Sequence, residues 1–311
     1  MENKLCLGTV QLGLDYGINK KKKPSKEESI KILECAYNNG IKIFDTAQAY
    51  GTAEEIIGEF IEKNKLKDKV KIISKLKPNI FEETNTDPKK VIKEEIEKSL
   101  KKLKIDKLYG YLFHTSDYIF NKEIVDALFY CKNEGLVENV GVSTYENNQA
   151  IYAAKIPIDF IQIPYNILDQ RLNKTNFWEI AKRNNVTIFA RSPFLQGLLL
   201  VNKDIIPEKL SWKEGFIKEL PEVKKHIEKI EQITKKYKLN KTESSLLFSQ
   251  NNDNIKYVVF GVHEINQLKE NIEICKKSYE QKAIKDCIGE LQENFSEIKK
   301  NIILPSLWKK K

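Results

Sequence analysis

The sequence predicts an α/β protein that folds as one (β/α)8 TIM barrel, with extra helices near its C-terminal end. Eight short apolar, β-branched runs recur along the 311 residues, and segments with helical periodicity lie between them. The first run continues as LGTVQLGLDYG, which lacks the G-x-G-x-x-G turn of a doubly wound dinucleotide-binding sheet. Eight strand and helix units without that turn favour the closed barrel.

The eight runs are nearly continuous in apolar character, as expected for parallel strands buried on both faces. They cover residues 4–9, 41–45, 69–74, 108–113, 137–143, 158–163, 186–190 and 255–261. Apolar residues repeat at three and four positions between the runs, most clearly in residues 25–40, 53–64 and 88–103. These segments therefore predict the helices that connect successive strands.

Two stretches interrupt the regular alternation of predicted strands and helices. Residues 191–220 form a long connection after the seventh strand, and residues 222–237 predict an extra helix. Further helical segments follow residue 278, and no linker rich in Pro, Gly or Ser marks a second domain. We expect a single domain over residues 1–311, with a barrel over about 4–277 and an extension over 278–311.

Composition excludes several classes of function. Lys and Arg outnumber Asp and Glu by 53 to 44, but the lysines are scattered among glutamates, which is typical of a solvated surface rather than a nucleic-acid interface. Five cysteines without a CxxC pair, and three separated histidines, provide no disulfide framework and no metal site. No run has the length of a membrane span, and no signal peptide is evident. We expect a soluble, cytoplasmic protein that binds neither nucleic acid nor membrane.

Polar residues follow the predicted strands, where the active site of such a barrel is built. Asp45 and Tyr50 follow the second strand, Lys75 the third and His114 the fourth. The later strands are followed by Ser143, Gln162, Ser192 and Gly261. All of these side chains are expected to converge on one mouth of the barrel.

The first four of these residues suit carbonyl reduction, which needs a proton delivered to the oxygen as negative charge develops there. Tyr50 can supply that proton. Lys75 is the expected cation that lowers the pKa of Tyr50, and Asp45 would hold the Lys75 ammonium group. His114 could donate a hydrogen bond that orients the substrate oxygen.

Each of these residues also has a purely structural interpretation. Asp45, beside Thr46, could cap a helix, and Lys75 could be one more surface lysine. Tyr50 could pack the rim of the barrel, and His114 could be an ordinary buried histidine. Their joint occurrence at successive strand ends favours the catalytic interpretation.

Several motifs resemble those of the aldo-keto reductases. FDTAQAYG (44–51), followed by EEIIGEFI, is similar to the signature of this family. The stretches IISKLKP, YLFH, GVST, IQIPYNILD, RSPFLQGLL and GVHEINQLKEN resemble further family landmarks in the family's order, from about residue 5 to about residue 275. The resemblance implies a bacterial NAD(P)H-dependent carbonyl reductase with Asp45, Tyr50, Lys75 and His114 as its catalytic tetrad and Tyr50 as general acid.

The resemblance also implies a cofactor site across the barrel mouth. Ser143 and Gln162 match positions that hold the nicotinamide carboxamide, and Gly8 and Thr9 would face the nicotinamide ribose. The other matched positions are Ser192, Leu195 and Gly197 near the pyrophosphate, Glu270 and Asn271 at the adenine, and Gly261, His263 and Gln267 beside the ribose 2′ position.

Three positions depart from the family pattern. Thr144 replaces a frequent Asn, and Arg191 stands where many members have an aromatic residue that stacks on nicotinamide; a planar guanidinium could stack similarly. Gln267 lies where NADP-selective members carry Arg or Lys. The family favours NADP(H) over NAD(H), with His263 or Lys269 as candidate phosphate contacts, but these changes predict only modest selectivity.

Two other functions remain open at this point. Lys75 could form a Schiff base, as in class I aldolases, although a carboxylate beside it favours the charged ammonium. The barrel could instead be a cofactor-sensing regulatory subunit that resembles a reductase. For an enzyme, we expect a small-molecule carbonyl substrate, with a sugar-like aldehyde or ketone as one candidate, and a monomer or small homo-oligomer.

Overall fold

The computed structural model describes residues 4–18, 21–82, 86–202 and 213–308. Eight parallel strands form a closed barrel in which each strand pairs with the next along the chain and the last pairs with the first. The strands are β1 (Leu5–Gly8), β2 (Ile43–Asp45), β3 (Lys71–Lys75), β4 (Leu108–Phe113), β5 (Val137–Ser143), β6 (Phe160–Pro164), β7 (Thr187–Arg191) and β8 (Tyr257–Gly261). The predicted (β/α)8 fold is confirmed.

Helices lie between the strands and after the barrel. They are α1 (Val10–Gly13), α2 (Lys26–Asn38), α3 (Ala53–Asn64), α4 (Pro88–Leu103), α5 (Lys122–Asn133), α6 (Asn147–Ala153), α7 (Phe177–Arg183), α8 (Glu214–Lys236), α9 (Lys241–Gln250), α10 (Ile265–Lys276), α11 (Gln281–Asn294) and α12 (Lys300–Ile303). The local sequence determines where some helices begin. Ser25 and Glu28 form a capping box at the N-terminus of α2, and Asn240 and Glu243 form one at the N-terminus of α9.

Two layers of buried side chains hold the barrel together. The larger layer packs the outer faces of the strands against the helices. A smaller cluster, which includes Cys6, Ile73, Leu112 and Phe189, contains residues from successive strands that are separate from this outer layer. Because fully burying one large apolar side chain contributes about 1.5–3 kcal/mol, these two layers provide the main driving force for closure.

Three strands end one residue beyond the predicted runs, at Lys75, Pro164 and Arg191, and two of these residues are charged. Lys75 pairs in register with Leu112 of β4, and Arg191 pairs with Val259 of β8. The predicted runs end at residues 74 and 190, directly before these two charged residues. The parallel ladder nevertheless continues through both residues, which fixes their backbones at the barrel mouth.

The C-terminal segments return to the barrel. Helix α8 starts earlier than the predicted 222–237 and occupies part of the predicted 191–220 connection, of which residues 203–212 lie outside the described residues. Trp308 is buried, packs its ring 5.1 Å from that of Phe216 and donates from Nε1 to the Ile302 carbonyl. Within the described ranges no helix is long and apolar enough to cross a membrane. The division of the chain into a barrel and an extension at residue 278 stays a prediction.

Candidate active site

A buried ion pair lies at the centre of the site. Lys75 Nζ donates to both carboxylate oxygens of Asp45 and to the Thr46 carbonyl, each at 2.8 Å. The Lys75 side chain is 1% exposed and that of Asp45 is 5% exposed. The surface-lysine interpretation of Lys75 is therefore wrong. The helix-cap interpretation of Asp45 is also wrong, because Asp45 ends β2 and the N-cap of α3 is Thr52.

The position of this pair follows from the strand register. Asp45 pairs with Ile73, two residues before Lys75 on the neighbouring strand, so both side chains reach the same mouth of the barrel. Gln162, in the middle of β6, also donates from Nε2 to Asp45 Oδ1. A buried carboxylate needs such partners because an unpaired charge in the interior is strongly unfavourable. The pair therefore forms a rigid floor beneath the mouth.

Tyr50 and His114 complete the predicted tetrad above this floor. Lys75 Nζ lies 5.1 Å from the centre of the Tyr50 ring. The Tyr50 and His114 rings meet edge to face, with centroids 5.8 Å apart and an interplanar angle of 88°. Both side chains are half-buried and line the same cavity as Asp45. The structure thus brings together all four residues singled out from the sequence.

Direct backbone packing holds the turn that carries Tyr50. A Cβ atom at Gly13, the last residue of α1, would lie only 1.7 Å from the Tyr50 carbonyl oxygen. The next residue, Gly51, has φ +56°, and a Cβ there would lie 2.4 Å from the Gly13 carbonyl oxygen. Because real Cβ atoms do not approach other atoms so closely, both positions require glycine. We call this contact the Gly13–Gly51 junction.

The pKa of Tyr50 differs from the sequence-based expectation. Burial raises the pKa of Tyr50 well above its usual value, the negative charge of Asp45 raises it further, and Arg191 is the cation that opposes these effects. Lys75 was expected to lower this pKa, but Asp45 pairs with its charge. The Asp45 carboxylate therefore affects the pKa of Tyr50 more strongly than the Lys75 ammonium does.

His114 is neutral at physiological pH. Burial, together with the positive charges of Lys75 and Arg191, lowers the pKa of His114 from 6.5 to about 3. Its Nδ1 atom is buried and has no hydrogen-bond partner among the described residues. A neutral imidazole keeps one N–H donor, so His114 can donate to a carbonyl oxygen without adding charge.

This pKa gives the first testable prediction. We expect the His114 ring signals in an NMR titration to stay constant between about pH 5 and pH 8, while those of an unperturbed histidine change near pH 6.5. Because the unfolded chain binds this proton between pH 6.5 and about 3 and the folded chain does not, His114 makes stability fall as pH falls through that window. A His114 titration centred near pH 6.5 would contradict this assignment, and His114→Asn identifies its signals.

Three of the four tetrad residues, Asp45, Tyr50 and His114, border a cavity of about 570 Å³ at the barrel mouth. Its lining includes these predicted residues: Asp45, Tyr50, His114, Gly8, Thr9, Ser143, Arg191, Ser192, Gly197, Gly261, His263, Gln267, Glu270 and Asn271. Three predicted residues are fully buried and do not line it: Lys75, Gln162 and Leu195. Gln162 is held by Asp45, yet its Oε1 atom has no partner within the described part of the chain.

The loop after β7 borders the cavity with strained backbone. Ser192, Gln196 and Gly197 all have positive φ, at 60°, 54° and 93°. Leu195 anchors this loop by pointing into the core, which explains why it does not line the cavity. The Gln196 carbonyl accepts a hydrogen bond of 2.9 Å from the Ile18 backbone N–H. The loops after β1 and β7 therefore meet at the edge of the cavity.

The start of α10 forms the other end of the cavity. Gln267 Oε1 accepts a hydrogen bond of 2.8 Å from the His263 backbone N–H. Burial, and then the positive charge of Lys21, lowers the pKa of His263. Lys21 itself forms an ion pair with Glu264, the N-cap of α10. His263 is therefore a weaker candidate cation than its sequence position indicated, and Lys21 is a cation that sequence analysis did not single out.

Sequence analysis missed several lining residues. The main ones are Gln11, Tyr16, Tyr145, Gln196, Pro305 and Ser306. Gln11 and Tyr16 belong to the LGTVQLGLDYG stretch, and Tyr145 follows Ser143 by two residues, so strand-end reasoning carried two residues further would have included Tyr145. The Gln11 amide also occupies the space where a Gly261 side chain would lie, 2.1 Å from its Cβ position. No sequence signal placed Pro305 and Ser306 here.

The comparisons with known proteins define the class. The model of the Aldo/keto reductase family matches residues 4–289, and the chain belongs to this family. The prediction made from its motifs is therefore confirmed. Members of the family are oxidoreductases of carbonyl compounds that use nicotinamide cofactors.

Two of the similar proteins come from Bacillus subtilis, and one similar structure comes from Bacillus halodurans. The uncharacterized oxidoreductase YqkF of Bacillus subtilis is 29% identical over 262 residues, which cover 80% of this chain and 82% of the relative. Aldo-keto reductase YhdN of Bacillus subtilis is 30% identical over 183 residues, which cover 56% of this chain and 54% of the relative. The structure of an aldo-keto reductase from Bacillus halodurans, in a holo form, superposes with a TM-score of 0.72 at 22% identity, covering 93% of this chain and 91% of that one. This last likeness concerns the fold alone.

Proposed function

We propose that the protein reduces a small aldehyde or ketone with NAD(P)H and that Tyr50 is the general acid. One observation carries the proposal: Tyr50 and His114 converge on the cavity directly above the buried Lys75–Asp45 pair. Membership of the aldo-keto reductase family supports the reaction class. A sugar-like substrate remains one candidate within it.

The residues around the cavity fit a nicotinamide dinucleotide. Gly8, Gly17 and Gly197 border the cavity, so ligand groups can approach the backbone closely. Gln162 Oε1 is a buried acceptor without a partner among the described residues, which suits the amide N–H groups of a carboxamide. When bound, the reduced cofactor supplies a hydride to the carbonyl carbon. Ser143 and Gln162 would hold its carboxamide, and Asn271 and Glu270 its adenine.

The protein's own groups would then complete the reaction. Tyr50 delivers a proton to the carbonyl oxygen, and neutral His114 donates a hydrogen bond that orients this oxygen. The Lys75–Asp45 pair fixes the floor on which the Tyr50 ring lies, and Arg191 is the cation that favours proton release from Tyr50. Lys75 is a poor candidate for a Schiff base, because three oxygen atoms already accept hydrogen bonds from its ammonium group.

The test is a panel of aldehydes, ketones and sugars assayed by loss of nicotinamide absorbance with NADPH and with NADH. We expect turnover of at least one carbonyl class. Binding of cofactor without turnover of any compound would favour the cofactor-sensing alternative instead. Borohydride trapping of a substrate adduct on Lys75 would favour the aldolase alternative.

Cofactor selectivity gives the second prediction. Gln267 offers no guanidinium to a 2′-phosphate, so we expect the wild type to prefer NADPH over NADH by only about 10- to 150-fold, the contribution of one charge-assisted hydrogen bond. Gln267→Arg should tighten NADPH binding and leave NADH binding almost unchanged, since only NADPH carries the extra phosphate. Fluorescence titration of both proteins with both cofactors measures this.

Gln267→Met is the matched control, because it removes the hydrogen bond to the His263 backbone without adding charge. It should alter the binding of NADPH and NADH alike. If the wild type already prefers NADPH by more than about a thousandfold, another group holds the phosphate and Gln267 does not determine the selectivity.

A further inference from the structure

Arg191 is a fixed cation on the wall of the cavity. It is the last residue of β7, and its Nη2 atom donates to the Thr144 carbonyl at 2.8 Å while its Nε atom donates to Ser143 Oγ at 3.3 Å. The guanidinium also lies over the Tyr145 ring, 4.3 Å from the ring centroid. Backbone register, two hydrogen bonds and the aromatic ring therefore fix the position of the charge.

The charge of Arg191 is not compensated locally. Within the described ranges no carboxylate forms an ion pair with it, and Asp45, the acidic member of the tetrad, is paired with Lys75. Its positive charge acts on its surroundings, since it contributes to lowering the pKa of His114 and opposes the rise in the pKa of Tyr50. His114 is neutral and Tyr50 is protonated, so neither neutralises it.

Arg191 also lies beside the position proposed for the nicotinamide. Ser143, the proposed contact of the carboxamide, already accepts the hydrogen bond from Arg191 Nε. A ring whose carboxamide is held at Ser143 therefore has the guanidinium as a neighbour. The reduced ring is uncharged, whereas the oxidised ring carries one positive charge after it has given up a hydride.

We propose that Arg191 places a positive charge beside the nicotinamide ring and so makes this site bind the reduced cofactor more tightly than the oxidised cofactor. The inference depends on the proposed function, because it assumes that this cavity holds the dinucleotide. Two unit charges close together in a partly screened site repel each other enough to change Kd by roughly 10- to 100-fold. An uncharged aromatic residue at the same position would stack on both forms without this repulsion.

Arg191 would thus favour release of the oxidised cofactor after the reaction. The reduced cofactor remains bound until it reacts, and the oxidised product is released readily, so inhibition by oxidised cofactor is weak. The same repulsion opposes charge development on the ring and lowers the driving force of the transfer step on the enzyme. Arg191 therefore speeds the exchange of oxidised for reduced cofactor. In return, it makes the bound reduced cofactor a weaker hydride donor.

The test compares Kd for NADPH and NADP⁺ in the full-length wild type, Arg191→Gln and Arg191→Lys. We expect the ratio of Kd for NADP⁺ to Kd for NADPH to be at least about 10 in the wild type and to fall about tenfold or more in Arg191→Gln, mainly because NADP⁺ binds more tightly. Arg191→Lys keeps the charge but loses the planar fork, so its ratio should stay close to that of the wild type.

Lys21→Gln is the matched control, because Lys21 lies near the α10 end of the cavity. It should leave the ratio unchanged. An unchanged ratio in Arg191→Gln, or equal weakening of both forms, would overturn the inference and leave the proposed function intact. A ratio in Arg191→Lys that falls as far as in Arg191→Gln would overturn it too, since charge would not be the cause. Binding of neither form by the wild type would overturn the proposed function itself.

Discussion

Tyr50→Phe is expected to lower the rate of carbonyl reduction by about 10²- to 10⁴-fold, the usual contribution of one general acid, while Kd for NADPH changes little. The phenyl ring can still pack against His114 and above the Lys75 ammonium, so only the proton donor is lost. Steady-state kinetics on the best substrate and a fluorescence titration with NADPH measure the two quantities separately.

Tyr145→Phe is the matched control for this experiment. Tyr145 lines the same cavity, but its described contact is between its ring and the Arg191 guanidinium, which Phe preserves in shape. Its turnover should stay within a few-fold of the wild type. Wild-type turnover in Tyr50→Phe, or an equal loss in both variants, would show that the Tyr50 hydroxyl is not the proton donor.

Lys75→Met should destabilise the fold as well as the site. The substitution leaves the buried Asp45 carboxylate without its cation, and removing one partner of a buried pair costs about 3–5 kcal/mol in the free energy of unfolding. Denaturant unfolding followed by circular dichroism measures this loss. We also expect turnover to fall, because the floor beneath Tyr50 is disrupted.

The double variant Asp45→Asn/Lys75→Met separates these two effects. It removes both charges, so it should recover much of the stability lost in Lys75→Met, while turnover should remain low. If Lys75→Met proves as stable as the wild type, the pair is not the structural floor described above. If the double variant regains wild-type turnover, neither residue supports the chemistry.

The fold could be predicted from the sequence because each strand is buried on both faces and each helix has one apolar face. Those periodicities are local, and they identified eight strands and the helices between them. Lys75 and Arg191 were placed just outside their strands, because a charge at a buried strand end is stabilised only by partners from other strands. Those partners, Asp45 for Lys75 and Thr144 with Tyr145 for Arg191, are defined only by the closed barrel.

The candidate site could be predicted in part for the same reason. Strand ends converge in any parallel barrel, so Asp45, Tyr50 and His114 were placed correctly at the mouth. Which side chains line the cavity depends on packing: Gln162 and Leu195 are fully buried and do not line it. Pro305 reaches it only because the C-terminal segment packs back onto the barrel. The direction of the Tyr50 pKa shift depends on burial, which no local pattern reveals.

The Gly13–Gly51 junction separates the positioning of the proposed proton donor from the choice of substrate. Enzyme engineers usually find these two properties coupled. Main-chain atoms of the segments that follow β1 and β2 position Tyr50, whereas the loop after β7 contacts the β1 side through the backbone hydrogen bond between Ile18 and Gln196. Side chains of the loop after β7 can be changed, with this backbone hydrogen bond kept, without moving the residue proposed to donate the proton. The scaffold is therefore suited to acquiring new substrates by changes in its outer loops, provided that both glycines are left untouched.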